Sequence, residues 1–439
     1  MTTSQKNNPE SGQVLILMVT AMVVLFGFLA LAIDGGMVYS DRRVAQNAAD
    51  ASALAGAGKI ALYLGDKEYD SCSNSTINSA RSTGVNTAQT LASTNGFTID
   101  SNLDDKNGVT TSCSNTNGYI NYIDVQVMIT TETQTAFAHL IYNGLLKNTV
   151  EAIARVRPGK PLALGNAIVA LNPQPDCSGP KHGVDFHGNA SIIVNGGGVL
   201  SEGCMEADGT VLSVDVQNGS NDYVGELDNP FDVFTPAPTH VNDPLALENY
   251  WIDPPDCDQV DYYGSPSTAY RNNASGLIEP GNYSKIKSNG EVYLRGGGLY
   301  CLYGDFDMGG DNLYIQDYDK GVTIYLKSGS FVTNGNGEVI IKAPSEDPDP
   351  YPALAGILIY LDKENDGEVK LRGTSSSSYY GTVFAPGGTI DAAGTADHVP
   401  SLHTQLIGWD VLVGGTADIK IIYQKGENAW LPPDLEMAR

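Results

Sequence analysis

A chain of 439 residues is longer than one ordinary hydrophobic core sustains, so length alone predicts two or three folding units. Its 25 Lys and Arg against 51 Asp and Glu leave a formal net charge of −26, which repels phosphate backbones and anionic surfaces and argues against a nucleic-acid partner. The acidic groups fall mainly after residue 65 among Gly, Asn, Ser and Tyr, a composition suited to a surface β-protein with exposed turns.

The first element in chain order is the run VLILMVTAMVVLFGFLALAI from Val14 to Ile33, which holds no charge and has Thr20 as its only polar side chain. About 20 such residues at about 1.5 Å each cross the hydrocarbon core of a bilayer. Residues 14–33 are therefore predicted as a single transmembrane helix behind a cytoplasmic leader, 1–13. A cleaved signal peptide is the competing reading. Its apolar region runs about 7–15 residues and ends at a small-x-small cleavage site, whereas this run is longer and continues into Asp34-Gly35-Gly36. Lys6 and the α-amine on one side face Arg42 and Arg43 on the other, so charge bias does not settle orientation. The cysteines and the large acidic remainder all follow the run. They place the bulk of the chain outside the cytoplasm, as a single-pass protein of the cell membrane.

Residues 34–65 continue at helical spacing as an amphipathic extension. Arg42, Arg43, Gln46, Asn47 and Asp50 fall on one side, and Val44, Ala45, Ala48, Ala51 and Ala55 on the other. Small side chains let helices approach closely. This packing face therefore serves either another copy or partner, or the chain's own globular domain.

The run from Gly12-Gln13 to Ile33-Asp34-Gly35-Gly36, followed by the stretch Gln46-Asn47-Ala48-Ala49-Asp50-Ala51-Ser52-Ala53-Leu54-Ala55, resembles the N-terminal segment of TadE/TadG-like pilus-assembly proteins. The resemblance implies a pilin-like membrane helix in a Tad/Flp (tight-adherence) system, with the bilayer, the pilus machinery or other copies of the chain as partners. A processed pilin carries Glu at its fifth mature position. Counting from Gln13 puts Leu17 there, which implies an uncleaved anchor.

Residues 66–160 are predicted as a small α/β domain of TadG-like layout. A Ser/Thr/Asn-rich helix and loop over 66–118 is followed by a strand at Tyr119–Ile129, a short helix at Thr135–Leu146 and a strand at Thr149–Val156. From about 161 to 425, short apolar runs such as Ile192-Ile193-Val194, Leu313-Tyr314-Ile315 and Ile357-Leu358-Ile359-Tyr360 are separated by Gly, Asn, Asp and Ser. This texture predicts a parallel β-helix (β-solenoid), with a β-sandwich as the rival. The passages Gly188–Gly198 and Tyr380–Ile390 resemble β-solenoid domains appended to pilus-assembly and surface proteins. Prolines at 230, 236, 238, 244, 254 and 255 mark an excursion over about 221–280, and 426–439 reads as a C-terminal tail. The expected fold is mainly β with an N-terminal α-helical anchor.

Six cysteines, Cys72, Cys113, Cys177, Cys204, Cys257 and Cys301, lack metal-binding spacing, and their even number fits three disulfides. Domain boundaries favour nearest-neighbour pairing among the many connectivities that six cysteines allow. Asp362, Glu364 and Asp366 before Gly367 mimic the first half of a calcium loop, but Gly373 stands where the closing Glu belongs, leaving at most an irregular calcium site beside the simpler reading of an acidic turn. A second acidic patch, Ser345–Pro350, is stiffened by two prolines. His182, Asp185 and His187 lie close in sequence, and on a strand 185 and 187 would share one face and could begin a metal site, but no third ligand is indicated and exposed coil corners explain the same residues. No cofactor is otherwise indicated, and no catalytic motif such as G-x-S-x-G, H-E-x-x-H or a P-loop occurs. The expected function is non-enzymatic: pilus assembly or cell-surface attachment. The alternatives are an anchored adhesin whose 23 tyrosines serve a glycan-binding face, and a carbohydrate-active enzyme built on a β-helix.

Overall fold

The computed structural model describes residues 11–65, 71–101, 103, 106–116, 119–137, 144–178, 183–208, 210–260, 277–288, 290–345, 353–394 and 400–438. The chain is mainly β and divides into two units, one formed by Met1–Gly159 with Pro432–Arg439, the other by Lys160–Leu431.

The first unit opens with α1, Ser11–Leu64, a single helix of 54 residues in which the predicted span and its amphipathic extension are continuous. The next helix, α2 (Ser75–Thr94), starts where the Asn74 side chain accepts the Thr76 N–H. Three antiparallel strands follow: β1 (Gly108–Thr116), β2 (Tyr119–Thr133) and β3 (Leu146–Arg157). Alternation on β2 and β3 points Ile123, Val125, Val127, Ile129, Val150, Ala152, Ala154 and Val156 into a core shared with α1 and α2. The helices cross closely because Gly56 and Gly84 face each other: a Cβ on Gly84 would fall 2.6 Å from Ile60 Cγ1, and one on Gly56 would fall 2.9 Å from Gly84 O.

Three expectations change in this unit. The segment 66–118 contains a strand, β1, that its polar sequence GVTTSCSNT concealed. The helix expected over Thr135–Leu146 lies partly outside the described residues, while Ala136 and Phe137 form a bend and Leu146 already belongs to β3. The C-terminal tail is not a tail: Asp434–Ala438 pairs antiparallel with β3 as a fourth strand. An open β3 edge would leave a row of backbone donors and acceptors without ladder partners. Arg157 reinforces the pairing by donating to Asp434 Oδ2 (2.9 Å) and Glu436 Oε1 (2.8 Å).

In the second unit every described strand of the large sheet pairs in parallel, and over most of the sheet pairing steps from one strand to the third one after it. Ile168–Ala170 pairs with Val199–Ser201, Val184–Gly188 with Met205–Ala207, and Ser191–Asn195 with Ser213–Gln217. The same step recurs from Leu277–Ile278 as far as Val339–Lys342 with the long strand Ser378–Gly394, which then pairs along its length with the next strand, Ser401–Gly415. Inward positions bury an apolar interior that includes Phe186, Ile192, Tyr300, Phe306, Phe331 and Tyr379. Corners are tight. At Gly188, φ is +83° and a Cβ would lie 2.2 Å from Gly415 O, so only glycine fits.

The stacking order differs from the chain order. Ser401–Gly415 pairs with Ile168–Ala170 and Val184–Gly188, and Ile419–Ile422 pairs with Ser191–Asn195. The last strands therefore dock on the first, and residues 221–240 and 277–287 form the two opposite ends of one ladder. The stretch 221–240, expected to belong to the excursion, carries four short strands of the ladder, Asn221–Tyr223, Leu227–Asp228, Phe234–Thr235 and Thr239–His240. The excursion expected there continues from residue 241, and 261–276 lie outside the described residues.

Its described part, 241–260, forms a strap. Register aligns Leu200, Val169, Ile407, Phe384, Tyr360, Tyr325, Cys301 and Asn282 in one outward row. The strap crosses that row in order. The Leu245 N–H donates to Glu202 (3.1 Å), Trp251 packs edge-on against Phe384 at 6.2 Å, and Tyr360 Oη donates to Ile252 O (2.7 Å). Cys257 bonds to Cys301, and Asn282 Nδ2 donates to Cys257 O and Val260 O. An outward sheet face that would otherwise expose large apolar side chains is thereby buried.

Candidate functional site

The feature with the clearest functional chemistry is α1. From Val14 to Ile33 its side chains are exposed all round, with Leu17 at 70%, Phe26 at 67% and Leu31 at 70%. A helix this apolar that buries nothing against its own protein is suited to lipid. It is the one helix among the described residues long and apolar enough to cross a membrane.

Burial begins at Asp34, which is 5% exposed. Its carboxylate accepts the backbone N–H groups of Ala136 (2.7 Å, Oδ1) and Phe137 (3.1 Å, Oδ2), satisfying donors in the bend after β2. One turn pair further on, Thr133 Oγ1 donates to Asp41 Oδ2 (2.6 Å), and Gln46 Nε2 donates to Glu151 O (3.1 Å). Polar ties thus fasten α1 to the sheet where the apolar run ends. Read as sequence, Asp34 marked only the end of the run. The signal that a second role was present is a lone carboxylate at the boundary of an uncharged helix.

The helix-packing residues divide. Ala45 and Ala48 are buried, Ala55 is half-buried, and Val44 and Ala51 are exposed. The buried face is Ala45, Ala48, Ala49, Ser52, Ala53, Gly56, Ala57, Ile60 and Leu64, and it packs in the unit's own core. The expected face was rotated because alanine occurs on both sides of this stretch, and hydropathy does not distinguish one small side chain from another.

All six cysteines are paired, Cys72–Cys113, Cys177–Cys204 and Cys257–Cys301. The nearest-neighbour pattern arises because each bond closes within a local feature: α2's entry against β1, adjacent turns of the ladder, and the strap against its row.

Asp362, Glu364 and Asp366 do not converge as ligands. Tyr325 Oη donates to Asp362 Oδ2, Asp362 Oδ1 accepts the Glu364 N–H (3.1 Å), and Glu364 and Asp366 are exposed. The turn is organised by buried Asn365, whose Nδ2 donates to Leu326 O and Gly329 O and whose Oδ1 accepts the Gly367 N–H. Asp185 and His187 share an outward face of Val184–Gly188, while His182 and Glu346–Pro350 lie outside the described residues. Among the described residues no group of three or more His, Cys, Asp or Glu is placed to hold a metal ion.

Sequence inspection also passed over Glu202. Burial pushes its carboxyl up to about 7, against the opposing pull of the Leu245 N–H. Because the folded value lies above the ordinary carboxylate range, the native state holds the proton more tightly than the unfolded chain does. This group's stabilising contribution is therefore complete below about pH 4.5 and is lost as pH rises through about 7. Chemical denaturation of wild type and Glu202→Gln between pH 4 and pH 8 checks this. The wild-type midpoint should fall relative to the variant across that window, and parallel profiles would exclude it.

No curated protein and no solved structure matches the chain. Residues 12–59 match the family model of TadE/G-like Flp pilus assembly, so the exposed apolar helix and the alanine face that anchors it to the first unit together constitute a TadE/G-like domain at the N-terminus of this chain.

Proposed function

We propose that this is a non-enzymatic, membrane-anchored surface protein acting in Tad/Flp-type pilus assembly or in cell-surface attachment. The observation that carries the reading is that the segment matching the TadE/G-like family is one helix, lipid-suited over Val14–Ile33 and docked into a folded unit from Asp34 onward. The three disulfides support placing both units outside the cytoplasm, where such bonds persist. The three-step parallel pairing supports a β-solenoid for the second unit. The helix acts as an uncleaved anchor, since Leu17 stands where a processed pilin carries Glu.

Gentle shearing of cells, separation of released filaments from membranes, and peptide mapping of both fractions test the reading. Recovery in membranes with residues 1–12 retained is expected. A chain recovered in filaments and beginning at Gln13 would overturn the uncleaved anchor. Loss of the chain with no effect on piliation or attachment would overturn the assignment itself.

A further inference from the structure

The second unit begins at Lys160 and ends at Leu431, and a short antiparallel pair, Lys160–Pro161 with Trp430–Leu431, joins these two ends, extended by the Leu162 N–H donating to Ala429 O. The Lys160 side chain leaves this pair and meets the strap. Its Nζ is in direct contact with Oδ1 of Asn249, in a part-buried position and across 89 residues of sequence. The surroundings are apolar. Pro161, Leu162 and Ala163 are buried directly after the lysine, and Tyr250 and Trp251, directly after the asparagine, pack on the same cluster as Leu162, Ala163 and Leu431.

A primary amine held against the oxygen of a carboxamide, in a part-buried apolar setting, brings together the two groups of an acyl transfer with their entropy already lost on folding. We propose that Lys160 and Asn249 become joined by an intramolecular isopeptide bond. Lys160 Nζ, as the neutral amine, forms a bond to Asn249 Cγ, and the Cγ–Nδ2 bond breaks. One proton passes from the attacking nitrogen to the leaving one, which departs as ammonia. The balance is one amine and one primary amide giving one secondary amide and ammonia, with no oxidant or other reactant.

Two further features fit this assignment. Glu202, a ladder residue that accepts the Leu245 N–H of the strap and whose charge acts on Tyr250 beside Asn249, retains a proton near neutrality, so a protonated carboxyl lies next to the strap. The cross-link also completes a covalent path. From Lys160 it would run through Asn249 along the strap to Cys257 and, by the disulfide, to Cys301 within the ladder. Tension on the start of the second unit would then bear on covalent bonds instead of on a two-residue strand pair. The inference stands apart from the pilus reading, because it concerns only the chemistry within the second unit.

The test is mass spectrometry of the detergent-solubilised full chain, non-reduced and then digested. The expected result is a branched peptide joining Lys160 to Asn249, lighter than the sum of its two linear arm peptides by one ammonia. Lys160→Arg and Asn249→Ala should each abolish the branch, and reduced wild type should migrate faster on denaturing gels than either variant. Recovery of both residues in separate, unmodified linear peptides from folded wild-type protein would overturn the proposal, whatever the variants do.

Discussion

Replacing Val23 and Phe26 together by arginine is expected to release the chain from membranes. Both side chains lie in the middle of the exposed apolar half of α1, at 66% and 67% exposure, and neither supports the folded core. Each arginine at the centre of a spanning helix costs roughly 3 kcal/mol on insertion scales, and each lost apolar residue adds a few tenths. The pair therefore shifts insertion by about 6 kcal/mol, some four orders of magnitude. Alkaline extraction followed by membrane flotation reads this directly. The first unit begins its burial at Asp34, so circular dichroism of the variant should retain the native β signal. Undiminished membrane retention would mean that something other than Val14–Ile33 holds the protein there.

The second large effect concerns the strap. Serine at both Cys257 and Cys301 is expected to destabilise the second unit by about 2–4 kcal/mol, the usual worth of a bond closing a loop of this size; the two cysteines are 44 residues apart in sequence. The consequence is larger than the loss of one cross-link suggests. Trp251, Ile252 and Val260 cover the row containing Phe384, Tyr360 and Tyr325, and a strap that lifts exposes that row to water. A fall in the urea midpoint should therefore be accompanied by new binding of an apolar dye before global unfolding. The paired variant Cys177→Ser with Cys204→Ser removes a bond between adjacent turns without freeing the strap, and should show the stability loss without early dye binding. Equal behaviour of the two variants would show that the strap is held by its other contacts.

Part of this architecture was legible because its causes are local. The apolar run is continuous and uncharged over the thickness of a bilayer, so Val14–Ile33 declared itself. The apolar alternation of β2 and the burial of β3 follow side-chain periodicity. Short apolar runs broken by glycine foretold a mainly β second unit with parallel pairing, and the cysteine neighbours paired as the expected domain boundaries favoured. β1 was missed because GVTTSCSNT buries Val109 at one end and otherwise offers polar side chains, leaving no apolar alternation to read. The calcium-like run misled because aspartate and asparagine are also what a tight turn selects, and here Asn365 organises the turn.

What the sequence by itself determined is therefore the set of elements: an uncharged helix of membrane length, an alanine-rich continuation, a small α/β part and a long series of short strands. Only the tertiary structure decided which face of the alanine helix is inside, that Asp434–Ala438 completes the first unit's sheet, that the last strands dock on the first, and that 241–260 is a strap rather than a loose excursion. Each of these rests on contacts between residues far apart in sequence. Their free energy comes from completing a ladder or covering an apolar row that the local sequence leaves open, and no short window contains both partners.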